Sequence, residues 1–407
     1  MATKNERIEI IDALRGFALA GIAICHIVEQ YIGAQAPSAF YESVNPSITD
    51  QIINALIGIF LRGKFIALFS FLFGLSFFIQ MDNARNKEVP FAGRFLWRLL
   101  LLLGIGYVHS FFYRGDILTV YAFLGIFLIP FYRLGSKWIL GIAFILFLGL
   151  GRFVIFKYFG GEHLFLEQTD TTGTDAPRVV GYYNTLKEGG LLEVFKTNAV
   201  EGHLDKLNFQ YGLFGRGYFT FAFFLIGLYA GRIGFFKRFR TDKNMTKQVL
   251  IWSGVGLVVA MGVTAAAFSS IGPDVQMNNW TAMVGLTGMD LANMTMTFLY
   301  IALFVVLYRK RKMERLLGKF APFGRMALTN YVLQSLIGTF LFFGWGLGYL
   351  GVLQNTYTFF IALALITIQI VYSKKWLQHF YYGPFEWLWR SLTFFKKYPL
   401  RRKPLKE

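Results

Sequence analysis

Residues 12–28 read Asp12-Ala-Leu-Arg15-Gly16-Phe-Ala-Leu-Ala-Gly21-Ile-Ala-Ile-Cys25-His26-Ile-Val28. At ~1.5 Å per residue this apolar run covers most of a ~30 Å hydrocarbon layer. It nevertheless carries a cation and an imidazole. A cleavable signal peptide would not hold Arg15 in its apolar region, and no small-residue cleavage site follows, so the run is expected to persist as a helix. Similar runs recur at roughly 50–81, 95–112, 116–133, 137–157, 211–231, 249–269, 288–308, 325–343 and 356–373, which with the first (roughly 12–33) predicts ten spans. The second is too long for one span, and Arg62-Gly63-Lys64 divides it into a short leading helix and a span from about 64. The predicted fold is an all-α polytopic transmembrane bundle.

Composition agrees. Of 407 residues 55% are hydrophobic and 18% aromatic, with 46 Phe. Charged residues make up 16%, against about 25% in an ordinary soluble domain. The net charge is still +18, from 41 Lys+Arg and 23 Asp+Glu. A chain this apolar would not stay in solution as a monomer, would not be disordered, and is not built as a nucleic-acid binder. One cysteine, Cys25, excludes a disulfide framework and a thiolate metal cluster. The five His show no metal spacing, and no P-loop, GxSxG, HExxH or Rossmann pattern is present. No cofactor is expected to be permanently bound, and no internal repeat is visible.

The basic residues are sorted by side. Segments 1–11, 82–98, 133–137, 232–248, 309–325 and 374–407 hold about 30 of the 41 Lys+Arg, and the alternate loops about five. The bias predicts a membrane protein with both termini in the cytoplasm. Residues 1–373 form the predicted bundle. Within it, 158–210 form an outward cap with one or two short helices. Residues 374–407 form an interfacial helix and a tail ending in Lys396, Lys397, Arg401, Arg402 and Lys403, suited to anionic lipid. In that helix Pro384 suits the first turn, and Glu386 and Arg390 are i,i+4 partners. Gly227 and Gly231, like Gly254 and Gly256, predict close helix packing. An oligomer is compatible with the sequence.

Ionisable residues at membrane depth point to function. Arg15 and His26 are 11 residues apart, about 16 Å along one helix face. The cation suits a phosphorylated donor and the imidazole an acceptor proton. The alternative is that Arg15 snorkels to lipid phosphate and His26 bonds a neighbouring helix. His109, Arg114 and Asp116 surround the turn between the third and fourth spans. Asp116 is expected to start a helix, Arg114 to pair with it, and His109 to be oriented by it as a base; a purely structural turn explains the same residues. Arg62 and Lys64 mark the break, which is expected to line a cavity. Arg152 and Arg216 are expected to snorkel near the outer leaflet. Asn330 and Gln334, i,i+4 with Thr329 and Arg325 nearby, are candidates for substrate contact or for interhelical hydrogen bonds.

Several stretches resemble the YeiB-like family of bacterial membrane proteins, a domain of unknown function. They are Asp12-Ala-Leu-Arg15-Gly16, Lys64-Phe-Ile-Ala-Leu-Phe-Ser70-Phe-Leu-Phe-Gly74, and His109 with Gly115-Asp116-Ile-Leu and Tyr121-Ala. Gly324-Arg325-Met-Ala-Leu-Thr329-Asn330-Tyr331-Val-Leu-Gln334-Ser335 and Gly383-Pro384-Phe-Glu386-Trp387-Leu-Trp389-Arg390 complete the set, in order along nearly the whole chain. The family is distantly similar to membrane acyltransferases of cell-envelope glycans and to the lysosomal glucosamine N-acetyltransferase. Those enzymes carry an Arg with a His eleven residues later in the first span, as Arg15 and His26 stand. YeiB-like members more often carry Asn at the position of His26, whereas His109 and Asp116 fit the family pattern.

The resemblance implies an acyltransferase. A cytoplasmic donor such as acyl-CoA would enter near Arg15, Arg62 and Lys64, with Arg114, Asn330 and Gln334 as further substrate contacts. His26 or His109, oriented by Asp116, would act as base on an extracytoplasmic or lipid-linked acceptor. The alternative is a transporter or flippase of a small amphiphile or lipid-linked precursor. A non-catalytic membrane protein is the third expectation.

Overall fold

The computed structural model describes residues 4–159, 173–271 and 279–402. Gly160-Gly161, His163 and Lys403 lie outside them. The described residues are helical without a strand. The first half comprises α1 (Lys4–Val28), α2 (Ser38–Val44), α3 (Ile48–Phe60), α4 (Lys64–Arg85), α5 (Ala92–Phe112), α6 (Leu118–Phe131), α7 (Ser136–Phe147) and α8 (Leu150–Phe159). Then follow α9 (Pro177–Glu188), α10 (Leu191–Ala199), α11 (Glu201–Tyr211), α12 (Arg216–Arg232), α13 (Phe235–Thr241) and α14 (Lys243–Ser269). The chain ends with α15 (Trp280–Tyr308), α16 (Arg311–Leu317), α17 (Phe320–Arg325), α18 (Ala327–Phe342), α19 (Asn355–His379) and α20 (Pro384–Phe394).

Among the described residues six helical segments are long and apolar enough to cross a membrane, and eight if the bent pairs α7–α8 (51°) and α11–α12 (62°) each count as one. The other two expected spans form α6 and α18, apolar helices of 14 and 16 residues. At ~1.5 Å per residue these are shorter than a ~30 Å hydrocarbon layer. The break at Arg62–Lys64 falls where the charges place it. Gly63, with φ +82°, separates α3 from α4. The cap holds three described helices, α9 to α11, where one or two short ones were expected. Pro177 at the start of α9 and the glycines around 189 and 190 begin and end them.

Between helices in lipid, packing rather than the hydrophobic effect drives association. The α4–α12 contact shows this. Gly74 lies against the carbonyl of Phe224 and Gly227 against that of Phe71, too close for a Cβ at either position. Gly231 likewise faces Phe78, and Gly256 faces Thr295, while Gly254 looks onto open space and does not pack. Around the α4–α12 seam, Leu68, Phe71, Phe77, Phe223 and Phe224 form the main buried core. A second tight seam joins α1 and α17, where Gly16 meets the Phe320 carbonyl and Gly324 that of Asp12.

α3 begins with a capping box: the Asp50 amide donates to Ser47 Oγ at 3.2 Å and the Ser47 amide to Asp50 Oδ2 at 3.2 Å. Asp50 also accepts from the Thr356 amide (2.8 Å) and hydroxyl (2.6 Å), tying α3 to the start of α19. Its opposite face exposes Ile48, Ile52, Leu56 and Ile59. α3 is thus amphipathic, with an apolar stripe facing outward.

Candidate functional site

The turn between α5 and α6 builds the most unusual local chemistry. Gly115 sits beneath the Tyr113 ring, where a Cβ would strike the hydroxyl, so the chain turns sharply and brings Asp116 back toward α5. His109 Nδ1 and Asp116 Oδ1 lie 2.8 Å apart, and both side chains are buried. Asp116 also accepts from the Leu118 amide (3.2 Å), the Thr119 amide (2.9 Å) and the Thr119 hydroxyl (2.9 Å). Every one of these partners is a donor, so the carboxyl is held as an acceptor on both oxygens. His109 Nδ1 therefore donates to it, and in the neutral ring Nε2 keeps its lone pair. That Nε2 is buried and has no hydrogen-bond partner.

His26 enters the same place from α1. Its ring lies 5.2 Å from that of Tyr113, 5.6 Å from Tyr31 and 6.3 Å from Tyr331. His109 lies 5.1 Å from Tyr331 and 6.3 Å from Tyr113. The two imidazoles share one buried aromatic box. Gln30 and Tyr31, which place Tyr31 over it, have φ of +49° and +56°. Such left-handed conformations are uncommon outside glycine and persist where surroundings enforce them. Gln30 supplies the enforcement, donating to the Leu353 carbonyl at 2.7 Å and accepting from the Gly351 amide at 2.7 Å. Behind Tyr31, which packs on Gly338, an apolar groove of about 240 Å³ runs between α1, α18 and α19, lined by Ile27, Gly338, Leu341 and Ile361.

The cap closes the other side. Lys206 on α11 places Nζ 3.8 Å from Asp116 Oδ2 and 3.2 Å from Thr119 Oγ1. His203 stacks on Tyr107 at 5.2 Å. Sequence inspection passed over Lys206. Ninety residues separate it from Asp116, and its only signal is a lysine in a segment expected to face outward and poor in basic residues.

Arg114 corrects an expectation. It does not pair with Asp116 but turns into the cap, where it pairs with Asp205 and lies 4.1 Å from the Tyr182 ring centroid; Arg178 reaches the same Asp205 at 3.0 Å. Two residues before Asp116 in the turn, Arg114 is buried against the cap instead of α5. The grouping of Arg15 with Arg62 and Lys64 is also corrected. Arg15 pairs with Asp12 (2.7 Å) and Ser76 (3.0 Å) toward the N-terminal end of α1. Arg62 pairs with Glu29 (2.6 Å) beyond its C-terminal end, and Lys64 donates to the Gly58 carbonyl (2.9 Å). About 16 Å along α1 separates Arg15 from His26, and the two have different partners.

The remaining candidates are interhelical. Asn330 donates to the Phe323 carbonyl (3.2 Å) and to Ser373 (2.9 Å), and Gln334 to Gln369 (2.7 Å), forming an amide ladder between α18 and α19. Glu386 does not pair with Arg390. It accepts from the Thr329 amide (3.0 Å) and hydroxyl (2.5 Å), joining two of the signature stretches. Burial raises the Glu386 carboxyl above its ordinary range, partly offset by those hydrogen bonds. Arg152 and Arg216 do not snorkel either. Arg152 is buried and pairs with Asp290, which also receives Arg216 at 2.5 Å. Arg152 further donates to the Leu213 carbonyl (2.6 Å), to Thr287 (2.8 Å) and to the Phe214 carbonyl (3.0 Å). Among the described residues no group of three His, Cys, Asp or Glu is placed to hold a metal ion.

An all-α fold with six to eight membrane-length apolar spans and a buried His–Asp pair at the α5–α6 turn defines a polytopic membrane-type protein. Residues 230–396 match the family described as "Protein of unknown function (DUF418)". The chain is 29% identical to "Uncharacterized protein YxaH" of Bacillus subtilis, covering 98% of this chain and 97% of the relative. It is 27% identical to "Uncharacterized 39.9 kDa protein in amylase 3'region" of Bacillus acidopullulyticus, over 98% and 97%. It is 28% identical to "Uncharacterized protein YeiB" of Escherichia coli, over 95% and 96%. The chain thus resembles the YeiB-like DUF418 family, by the match over residues 230–396 and by the near full-length likeness to YxaH and YeiB.

Proposed function

We propose that the protein is an acyltransferase of the bacterial cytoplasmic membrane, with both termini in the cytoplasm and His109 as general base. The supporting observation is the buried Nε2 of His109, unpartnered, with Nδ1 fixed by Asp116. A buried nitrogen left without a partner costs about 1–3 kcal/mol, which a site recovers when substrate supplies the donor. An acceptor hydroxyl or amine gives its proton to His109 Nε2 as its oxygen or nitrogen attacks the carbonyl of a thioester such as acyl-CoA. The carbon–sulfur bond breaks, and the departing thiolate takes the proton from the imidazolium. Asp116 stays a carboxylate and holds the ring. Tyr113 and Tyr331 exclude water, and the apolar groove behind Tyr31 suits an acyl chain or a lipid-linked acceptor. The reading is tested with purified protein, a labelled acyl-CoA series and envelope glycan. Transfer by wild type that falls at least ~10²-fold in His109→Ala supports it; no turnover of any acyl-CoA by folded wild type refutes it.

A second reading, transport of a small amphiphile, is favoured by one observation. The two broken pairs α7–α8 and α11–α12 meet at Arg152, which holds the carbonyls at the second break. Broken helices beside charged groups are a common feature of substrate paths. Counterflow in proteoliposomes that disappears in Asp290→Asn, with no acyl transfer, would select it. Normal function in a folded His109→Ala/Asp116→Ala protein would leave only a structural role.

A further inference from the structure

α20 packs on α5 and α18. Trp389 Nε1 donates to the Arg98 carbonyl at 2.8 Å, and the Arg98 guanidinium lies 3.7 Å from the Trp389 ring centroid. Arg390, one residue on, is surrounded by Tyr398 (4.6 Å), Tyr382 (5.4 Å) and Phe394 (5.4 Å), and its buried Nε has no partner. Arg98 is within Coulombic range of Arg390 and Arg15. Arg325 is within range of Asp12, across the tight α1–α17 seam. Four guanidinium groups from four elements thus gather at one end of the bundle.

The carboxylates nearby do not balance them. Asp12 is paired with Arg15, Glu386 is turned to Thr329, and Glu9 lies by Gly318. α5, α17 and α20 carry no further acid. Two of the four, Arg98 and Arg390, have aromatic faces for neighbours and no carboxylate partner among the described residues. A half-buried cation packed this way has been desolvated without a counterion, which is costly unless an anion arrives. A guanidinium stacked on an aromatic ring also leaves its edge N–H groups free, the fork that matches phosphate oxygens.

We propose that Arg98 and Arg390, with Arg15 and Arg325 supplying the surrounding field, form a phosphate-binding site under α20. The phosphate comes from a membrane lipid headgroup or from a soluble phosphorylated ligand, and the site stands whether or not the protein transfers acyl groups. Trp389 positions Arg98, and Tyr382, Phe394 and Tyr398 position Arg390.

The test uses full-length protein in neutral detergent. Coenzyme A is the soluble probe and phosphatidylglycerol the lipid probe, with phosphatidylcholine as control. Binding is followed by the rise in thermal midpoint at constant ionic strength and by retention in native mass spectrometry. Wild type should respond to at least one phosphate probe and not to phosphatidylcholine. Arg98→Gln and Arg390→Gln should each weaken that response about tenfold, and Arg390→Lys should retain part of it. Response to phosphatidylglycerol alone assigns the site to lipid, and response to coenzyme A alone to a soluble ligand. If the variants do not fold, wild type alone decides. A wild type indifferent to both probes overturns the proposal, as do folded Gln variants that bind within twofold of wild type.

Discussion

At the scale of residues, the protein's chemistry is concentrated in one donor–acceptor count. Asp116 is surrounded only by donors, so His109 Nδ1 holds its proton and Nε2 faces the aromatic box. Asp116→Asn replaces an acceptor with a group that can donate, and permits the opposite tautomer. It should lower kcat by ~10²-fold or more with little change in KM, as expected when a base is lost and binding is kept. In the proposed mechanism Lys206 would be a positioning residue, touching Asp116 through a single 3.8 Å contact. Lys206→Met should therefore cost less, about tenfold, and shift the acid limb of the pH–rate profile, while Lys206→Arg restores most of the rate. Steady-state kinetics across pH separate these outcomes from a folding defect. The His109–Asp116 pair was legible in the sequence because seven residues and one glycine turn keep it local. Lys206 was not, because its proximity depends on how α11 folds over that turn.

At the scale of elements, glycines and broken helices set the architecture. At the α4–α12 seam a methyl group at Gly74 or Gly227 meets backbone carbonyl, which has no rotamer with which to yield. Gly227→Ala should destabilise by about 1–3 kcal/mol, read as a lower thermal midpoint. Gly254→Ala, facing open space, should not, and serves as its control. The glycine spacing predicted close packing without saying which member of each pair faces a neighbour. The Arg152–Asp290–Arg216 cluster was invisible for another reason: its members come from α8, α15 and α12, and span hydropathy does not report pairing between distant helices. α20 supplies a pH-dependent case. The Glu386 carboxyl is raised by burial, so its contribution to docking is complete below the ordinary carboxyl range of about 4.3 and is lost as pH rises through the raised value. Limited proteolysis of the C-terminal segment should accelerate over that interval, and Glu386→Gln should flatten the dependence.

At the scale of the whole molecule, an apolar and basic composition revealed a membrane bundle, and the structure shows three settings for charges within it. One set is tied into ion pairs, as Arg62 with Glu29 and Arg114 with Asp205. One gathers under α20. A third, Lys206, stands over the His–Asp pair. Linear order placed Arg15, Arg62 and Lys64 together by type, whereas α1 holds them at opposite ends. The single cysteine makes the proposed topology testable. Cys25 is buried, so Cys25→Ser should give a folded background for accessibility scanning. A cysteine at Lys396 should be labelled only from the cytoplasm, and one at Asn184 on α9 only from outside.

If His109 Nε2 is a working base, the protein releases free thiol from acyl-CoA in a His109-dependent way. The Cys25→Ser protein has no thiol of its own to interfere. The initial rate of thiol release is measured with purified protein, with and without acceptor, beside His109→Ala and Asp116→Asn in the same background. Acceptor-stimulated release should drop at least ~10²-fold in both variants at unchanged thermal midpoint. Equal release by all three proteins, or none by a well-folded parent, would contradict it.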